Sequence, residues 1–404
     1  MSTAIGGNSV RLGTGIPIAI HMDKKTQNWI AMRVDGNREI GLGHVMRCLA
    51  LATEAATRGQ HVRLFSRSMN DNLRRRIESV GMELHYLTDK GSEPDHRYAH
   101  SHWLATSEDA DAAETTARLD ELAAAHGEPA LVAVDHYALG APWHERLRNV
   151  APVLAIDELS DRQLAPDWLV DQTQGKPPET YSGLVPAYTR CLIGGHYALL
   201  REEFSLQLKN TGRQRPGVNT PLRILVTMGG VDQGNASLKV ISALRLAAKT
   251  MPIAATIVAG VANPNLTSLR EEVGQQARTR DLSIDLVFDT HEMAALMANH
   301  HLAVGAAGTS SWERCAMGLP TINLILAENQ QEICGWLAAT GASVNLGWAK
   351  SLHPETLAAT ILQLAQDPEK YTRMVNAAYS VCDGRGCARV LDIVSSQIST
   401  LPDS

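Results

Sequence analysis

The chain has 404 residues, room for two domains of ordinary size rather than one core. Hydrophobic residues make up 44% and charged residues 20%, the balance of a soluble globular protein. A net charge of −6 argues against a nucleic-acid partner, and no apolar stretch reaches the roughly 18 residues that a membrane span needs.

Residues 1–28 read as an N-terminal extension without the charged head and apolar run of a signal peptide. From residue 29 on, short β-type runs alternate with helical ones. NWIAMRV, HVRLFSR, MELHYL, ALVAVD and VLAID read as strands, with helical segments such as 44–58 and 109–125 between them. NLRRRIESVG is a short amphipathic helix whose arginine run is a solvated face. The polar stretch KNTGRQRPGVNT then reads as a linker. A second series follows: RILVTMGG, a helix from Ala236 to about Lys249, IAATIVAG, IDLVFD, LAVGAAG, a helix from Ser310, TINLIL, and helices over 329–340 and 354–366. The domains are therefore expected at 29–208 and 221–380, with a linker at 209–220 and a C-terminal helix within 381–404. Strands alternating with helices imply parallel sheets covered on both faces. The expected fold class is α/β: two Rossmann-like domains facing each other across a cleft, with ligands outside the carboxyl ends of the strands.

Six cysteines stand singly, at Cys48, Cys191, Cys315, Cys334, Cys382 and Cys387, without zinc spacing or a disulfide framework. A reducing cytoplasm is the expected setting. His96, His100 and His102 in HRYAHSH have the look of a metal cluster, but no second histidine motif or carboxylate is placed to complete it. No metal and no cofactor are expected.

The chemistry concentrates at strand exits. After the first strand, Gly41-x-Gly43 leads straight into His44, followed by Val45, Cys48, Leu49 and Ala52 at helical spacing. A histidine in the first helical turn feels the positive end of the dipole, which disfavours imidazolium. A lowered pKa and a neutral imidazole acting as base at about pH 7 are expected. Arg47, one turn on, is expected to meet the substrate or a phosphate. In the second half the exits are Gly229-Gly230 before Val231-Asp232, then Gly308-Thr309-Ser310-Ser311 before Glu313, then Asn329-Gln330. Glycines and free amides at such turns bind phosphate without lysine, and two of them suit a diphosphate. Neither the P-loop pattern nor an intact G-x-G-x-x-G is present, so ATP hydrolysis and a dinucleotide are not expected.

RVDGNREIGLGHVMRCLALA, AVDHYALGAPW, AIDELSDR, DWLVDQT, HYALLREEF, TMGGVD, GAAGTSSWERCAMGLPTI and AENQ together resemble the UDP-2,4-diacetamido-2,4,6-trideoxy-beta-L-altropyranose hydrolase family. That family acts on the way to pseudaminic acid, a bacterial sugar of flagellin and surface glycans. The motifs run from about residue 30 to about residue 395. More distantly, the second half is similar to the UDP-N-acetylglucosamine transferase of lipid II synthesis, which implies the GT-B architecture. The resemblance implies a catalytic role for His44 and active-site positions for Tyr137 and Asn329. The similarity to the transferase implies that Gly229, Gly230, Gly308, Thr309, Ser310 and Ser311 face the diphosphate, with Glu313 on the ribose hydroxyls; Gly43, Arg47 and Gln330 are also expected to line the substrate. Asp135 is expected to fix its loop, with a supporting role behind His44 left open. The chain departs from the family at Gly195-His196, where proline usually follows the glycine, and at Val231, usually Ser or Thr. The expected activity is metal-independent hydrolysis of a UDP-sugar. A GT-B transferase acting on a glycan acceptor is the alternative, and a silent sugar-nucleotide sensor the third. The oligomeric state stays open, a monomer included.

Overall fold

The computed structural model describes residues 29–398 apart from 38, 89–91, 207–216, 218–219, 261–262, 276–280, 289 and 291. The expected N-terminal extension and most of the expected linker lie outside the described residues.

The first half runs β1 (Trp29–Val34), α1 (Gly43–Thr57), β2 (His61–Ser66), α2 (Asp71–Ser79), β3 (Glu83–Tyr86), α3 (Glu108–His126), β4 (Leu131–Asp135), α4 (Ala141–Leu147), β5 (Val153–Ile156), β6 (Trp168–Asp171), β7 (Arg190–Ile193) and α5 (Glu203–Leu206). The second runs β8 (Leu222–Thr227), α6 (Ala236–Ala248), β9 (Ile253–Ala259), α7 (Leu266–Gln275), β10 (Leu282–Phe288), α8 (Met293–Asn299), β11 (Leu302–Ala306), α9 (Ser310–Ala316), β12 (Thr321–Ile325), α10 (Gln331–Ala339), β13 (Ser343–Trp348), α11 (Pro354–Gln366), α12 (Pro368–Val381) and α13 (Gly386–Ile398).

The strands form two sheets, ordered β3-β2-β1-β4-β5-β6-β7 and β10-β9-β8-β11-β12-β13, and every pairing is parallel. Central strands are apolar without alternation because helices cover both faces; all six residues of β1 are buried. The winding direction reverses between β1 and β4 in one sheet and between β8 and β11 in the other. Connections on the two sides of such a point leave toward opposite faces, which opens a crevice at the carboxyl ends of those strands. The register pairs Val34 with Asp135 and Thr227 with Gly305, so the loops after each pair start side by side.

The cores do not respect the division read from the sequence. Ala198, Leu200 and Phe204 pack with Leu225, Trp312 and Met317 of the second half. In return, Cys387, Val390, Leu391 and Val394 of α13 complete the apolar layer formed by α1, β1 and β4. The short strands β6, β7 and β13 are absent from the strands read along the chain, since four-residue runs and a Gly-bearing SVNLGW carry little periodic signal.

Candidate active site

The turn after β1 is tied by Asn37, whose Oδ1 accepts from the amides of Glu39 and Ile40 at 2.8 and 2.9 Å. Gly41 closes it at a φ of 85°, the left-handed region that a side chain resists. Gly43 has no such constraint and is the first residue of α1. The turn delivers His44 into the first turn of α1 with 7% of its surface exposed.

His44 Nδ1 lies 2.6 Å from Oδ1 of Asp135, the last residue of β4. Asp135 is fully buried and also accepts from Arg47, through Nε at 2.5 Å and Nη2 at 2.7 Å. Burial alone would raise the Asp135 pKa, but the Arg47 guanidinium and His44 beside it hold the carboxyl well below the usual carboxylate range. An ionised Asp135 is acceptor-only, so Nδ1 carries the hydrogen and the Nε2 lone pair is left for chemistry. Of the two roles left open for Asp135 in the sequence, this geometry favours the one behind His44, whose Nδ1 it engages.

Arg47, expected to meet the substrate, is committed inward. Its other polar contacts are Glu158 Oε2 at 2.8 Å, His44 Nδ1 at 3.2 Å and the Tyr137 hydroxyl at 3.4 Å. Tyr137 in turn donates to Glu158 Oε2 at 3.2 Å, and its ring meets that of His44 edge-on, centroids 4.6 Å apart. Burial raises the Tyr137 phenol far above its ordinary pKa, so it stays protonated. Its hydroxyl is therefore engaged with Arg47 and Glu158, and it touches His44 through its ring.

Two contributors were not singled out in the sequence. Glu158 follows β5, and its signal was AIDE beside AVDH, an acidic residue at each of two adjacent strand exits. Trp103 lies in a 3₁₀ turn over Ser101–Leu104, stacks on Tyr137 at 5.8 Å, and meets His44 at 5.9 Å and His100 at 4.5 Å. The HRYAHSH stretch is thus part of the aromatic wall around His44. His102 instead pairs with Glu39, and His136 is buried with Nε2 3.1 Å from Asp35.

The second half presents its turns at the β8–β11 crevice. Gly229, at a φ of 76°, and Gly230 are exposed, as is Val231. α6 begins at Ala236, as expected, and Asp232 supports its first turn by accepting from the amides of Ala236 at 2.8 Å and Ser237 at 3.1 Å. Gly308, Thr309 and Ser310 are at least partly accessible, whereas Ser311 is buried. The Glu313 side chain is half-buried and makes no hydrogen bond or ion pair among the described residues. Burial pushes its pKa up to about 7, with Arg201 and Arg314 acting in the opposite sense. After β12, Gln330 Oε1 accepts from the amide of Leu326 at 2.9 Å, while Asn329 is exposed.

Two clusters result. His44, Arg47, Tyr137, Asp135 and Glu158 are joined in the first half. Gly229, Gly230, Gly308 to Ser311, Glu313, Asn329 and Gln330 stand at strand ends of the second, and no hydrogen bond links the two sets among the described residues. No group of three His, Cys, Asp or Glu side chains among the described residues is arranged to hold a metal ion. No helix among them is long and apolar enough to cross a membrane.

Residues 225–384 match the Glycosyltransferase family 28 C-terminal domain. The chain is 24% identical over 210 residues to the spore coat polysaccharide biosynthesis protein SpsG of Bacillus subtilis (strain 168), covering 52% of this chain but only 59% of that protein. It is 26% identical over 219 residues to the UDP-2,4-diacetamido-2,4,6-trideoxy-beta-L-altropyranose hydrolase of Campylobacter jejuni subsp. jejuni serotype O:2, covering 53% of this chain and 73% of that one. These alignments span about half of the chain, less than the quoted motifs do. The MurG structure of Acinetobacter baumannii aligns over 92% of this chain and 100% of its own, with a TM-score of 0.63 and 15% identity. The chain therefore has the two-sheet α/β fold of GT-B glycosyltransferases, with a second half similar to a family 28 C-terminal domain and a distant resemblance to the UDP-sugar hydrolase.

Proposed function

We propose that the chain is a metal-independent UDP-sugar hydrolase. Its substrate class is that of UDP-2,4-diacetamido-2,4,6-trideoxy-beta-L-altropyranose, and its place is pseudaminic acid biosynthesis in the cytoplasm. The observation that carries this reading is the 2.6 Å pairing of His44 Nδ1 with the buried Asp135 carboxylate at the β1–β4 crevice. A carboxylate that fixes the tautomer and stabilises the imidazolium is what a general base needs. His44 Nε2 takes a proton from water, and the water oxygen forms a bond to the anomeric carbon. The bond from that carbon to the β-phosphate oxygen breaks, its electron pair leaving with UDP, and the proton on His44 then passes to solvent.

UDP leaves as a stable anion, so the acid of ordinary glycosidases, which protonates an alkoxide, is not required. Direct displacement inverts the anomeric centre. Arg47, Glu158 and Tyr137 hold the dyad in place, while Asn329 and Gln330 meet the sugar from the other side. Gly229, Gly230 and the 308–311 turn take the diphosphate, and Glu313 takes the ribose. The similarity to the Campylobacter hydrolase supports this assignment.

The family 28 match favours a second reading, a GT-B transferase, because the same base would activate an acceptor hydroxyl. The two separate in one assay. Release of UDP from the UDP-sugar in buffer alone is the hydrolase result; release only after a glycan acceptor is added is the transferase result.

A further inference from the structure

Five arginines are buried in the described part of the molecule: Arg33, Arg47, Arg63, Arg162 and Arg314. Four reach carboxylates: Arg33 pairs with Asp35 and Asp111, Arg47 with Asp135 and Glu158, Arg63 with Glu83, and Arg162 with Asp157 and Asp161. Arg314 reaches none among the described residues, and each of its hydrogen-bond partners is neutral. Nη1 donates to Ser310 Oγ at 3.0 Å and Thr227 Oγ1 at 3.3 Å. Nη2 donates to the Ala306 carbonyl at 2.8 Å, Ser311 Oγ at 3.0 Å and Asn323 Oδ1 at 3.1 Å. Nε is buried without a partner.

A buried cation without a counter-ion is strongly unfavourable, and structures seldom keep one without a use. Burial pulls the Arg314 pKa down only to about 10, so the charge persists at neutral pH. The adjacent Glu313, raised to about 7, offsets it weakly. The fold also makes room for it: a Cβ at Gly305 would stand 2.9 Å from Nη1 and from the Thr227 carbonyl. The guanidinium sits where β8, β11 and β12 end, beneath the turns already described. Two turns of α9 supply little dipole of their own.

A hydroxyl oxygen that accepts from Arg314 leaves its own proton to be donated elsewhere. Ser310, partly accessible, is thereby made a donor toward the crevice.

Building on the UDP-binding part of the proposed function, we propose that Arg314 is the built-in counter-charge for the diphosphate, a positioning residue that acts through the serine hydroxyls without touching the ligand. Calorimetry with UDP and with uridine, on wild type, Arg314→Met, Arg314→Lys and Ser310→Ala, tests it. Arg314→Met weakens UDP at least about tenfold, as expected for loss of charge-assisted bonding, and leaves uridine unchanged. Arg314→Lys restores part of the UDP affinity, and Ser310→Ala lowers UDP affinity selectively. Should Arg314→Met fail to fold, Arg314→Lys and Ser310→Ala carry the test: both must weaken UDP and spare uridine. Equal losses for both ligands, or unchanged UDP affinity in folded variants, overturn the role while the nucleotide site stands. Wild-type protein that binds neither ligand overturns the nucleotide site and this role with it.

Discussion

His44 and Asp135 stand 91 positions apart in the chain, yet their side chains meet at 2.6 Å because β1 and β4 are neighbours at the reversal of the sheet. If His44 activates water, His44→Ala lowers turnover by at least about a hundredfold and leaves UDP affinity unchanged. Asp135→Asn can donate its amide to Nδ1, which places the hydrogen on Nε2 and removes the base; turnover then falls by about a thousandfold or more. Turnover is measured well below each variant's melting temperature, since Asp135 also holds Arg47. Near-normal turnover in folded His44→Ala removes His44 from the mechanism.

Glu313 titrates in an accessible range. Its folded pKa, about 7, lies above the ordinary carboxylate value, so its contribution to stability is fully present below about pH 4 and is lost as pH rises through about 7. If Glu313 takes the ribose, binding has the opposite sense, because the ionised carboxylate is the better acceptor for two hydroxyls. Uridine, which carries no phosphate to titrate, therefore binds more tightly as pH rises from 6 to 8, a range of about one unit on either side of that value. Glu313→Ala abolishes the trend and weakens UDP by about 1.5–3 kcal/mol. A flat wild-type profile with unchanged affinity in the variant places the ribose elsewhere.

If the amide turns and Arg314 neutralise a diphosphate, no task is left for a divalent ion. Turnover survives dialysis against excess EDTA. Activity lost on chelation and restored by Mg²⁺ or Mn²⁺ alone contradicts this.

If His44 in the first half activates water while the glycine turns of the second hold the diphosphate, water attacks carbon rather than phosphorus. Hydrolysis in ¹⁸O-water labels the anomeric hydroxyl of the sugar and leaves UDP unlabelled. Early NMR spectra show the inverted anomer before it equilibrates. Label in the UDP phosphate means that a different bond breaks.

The parts of this site that were legible in the sequence are those carried by local pattern. Gly41-x-Gly43-His44 announces a strand exit feeding a helix, and the glycine turns of the second half do the same. The two parallel sheets follow from the alternation of apolar runs. What stayed hidden depends on neighbours in space. Asp135 becomes the partner of His44 only through the β1–β4 register. Arg47 turns inward because Asp135 and Glu158 are there to receive it. His44 faces both the start of α1 and the carboxylate of Asp135, and only the first is written in the local sequence. Trp103 sits in a turn with no periodicity to mark it.

The return of α13 to the first half has a consequence for synthesis. Residues of α13, made after both sheets, supply side chains to the layer around α1, and Gln397 accepts a hydrogen bond from Trp168 Nε1 at 2.5 Å. On the ribosome, the first half therefore waits with an uncovered apolar face until α13 arrives. The order of translation and the order of completion are reversed, and the half that carries His44 closes only once the other half has been made. A stop codon at residue 385, which removes α13, would damage the half farthest from it in sequence: the one that carries His44.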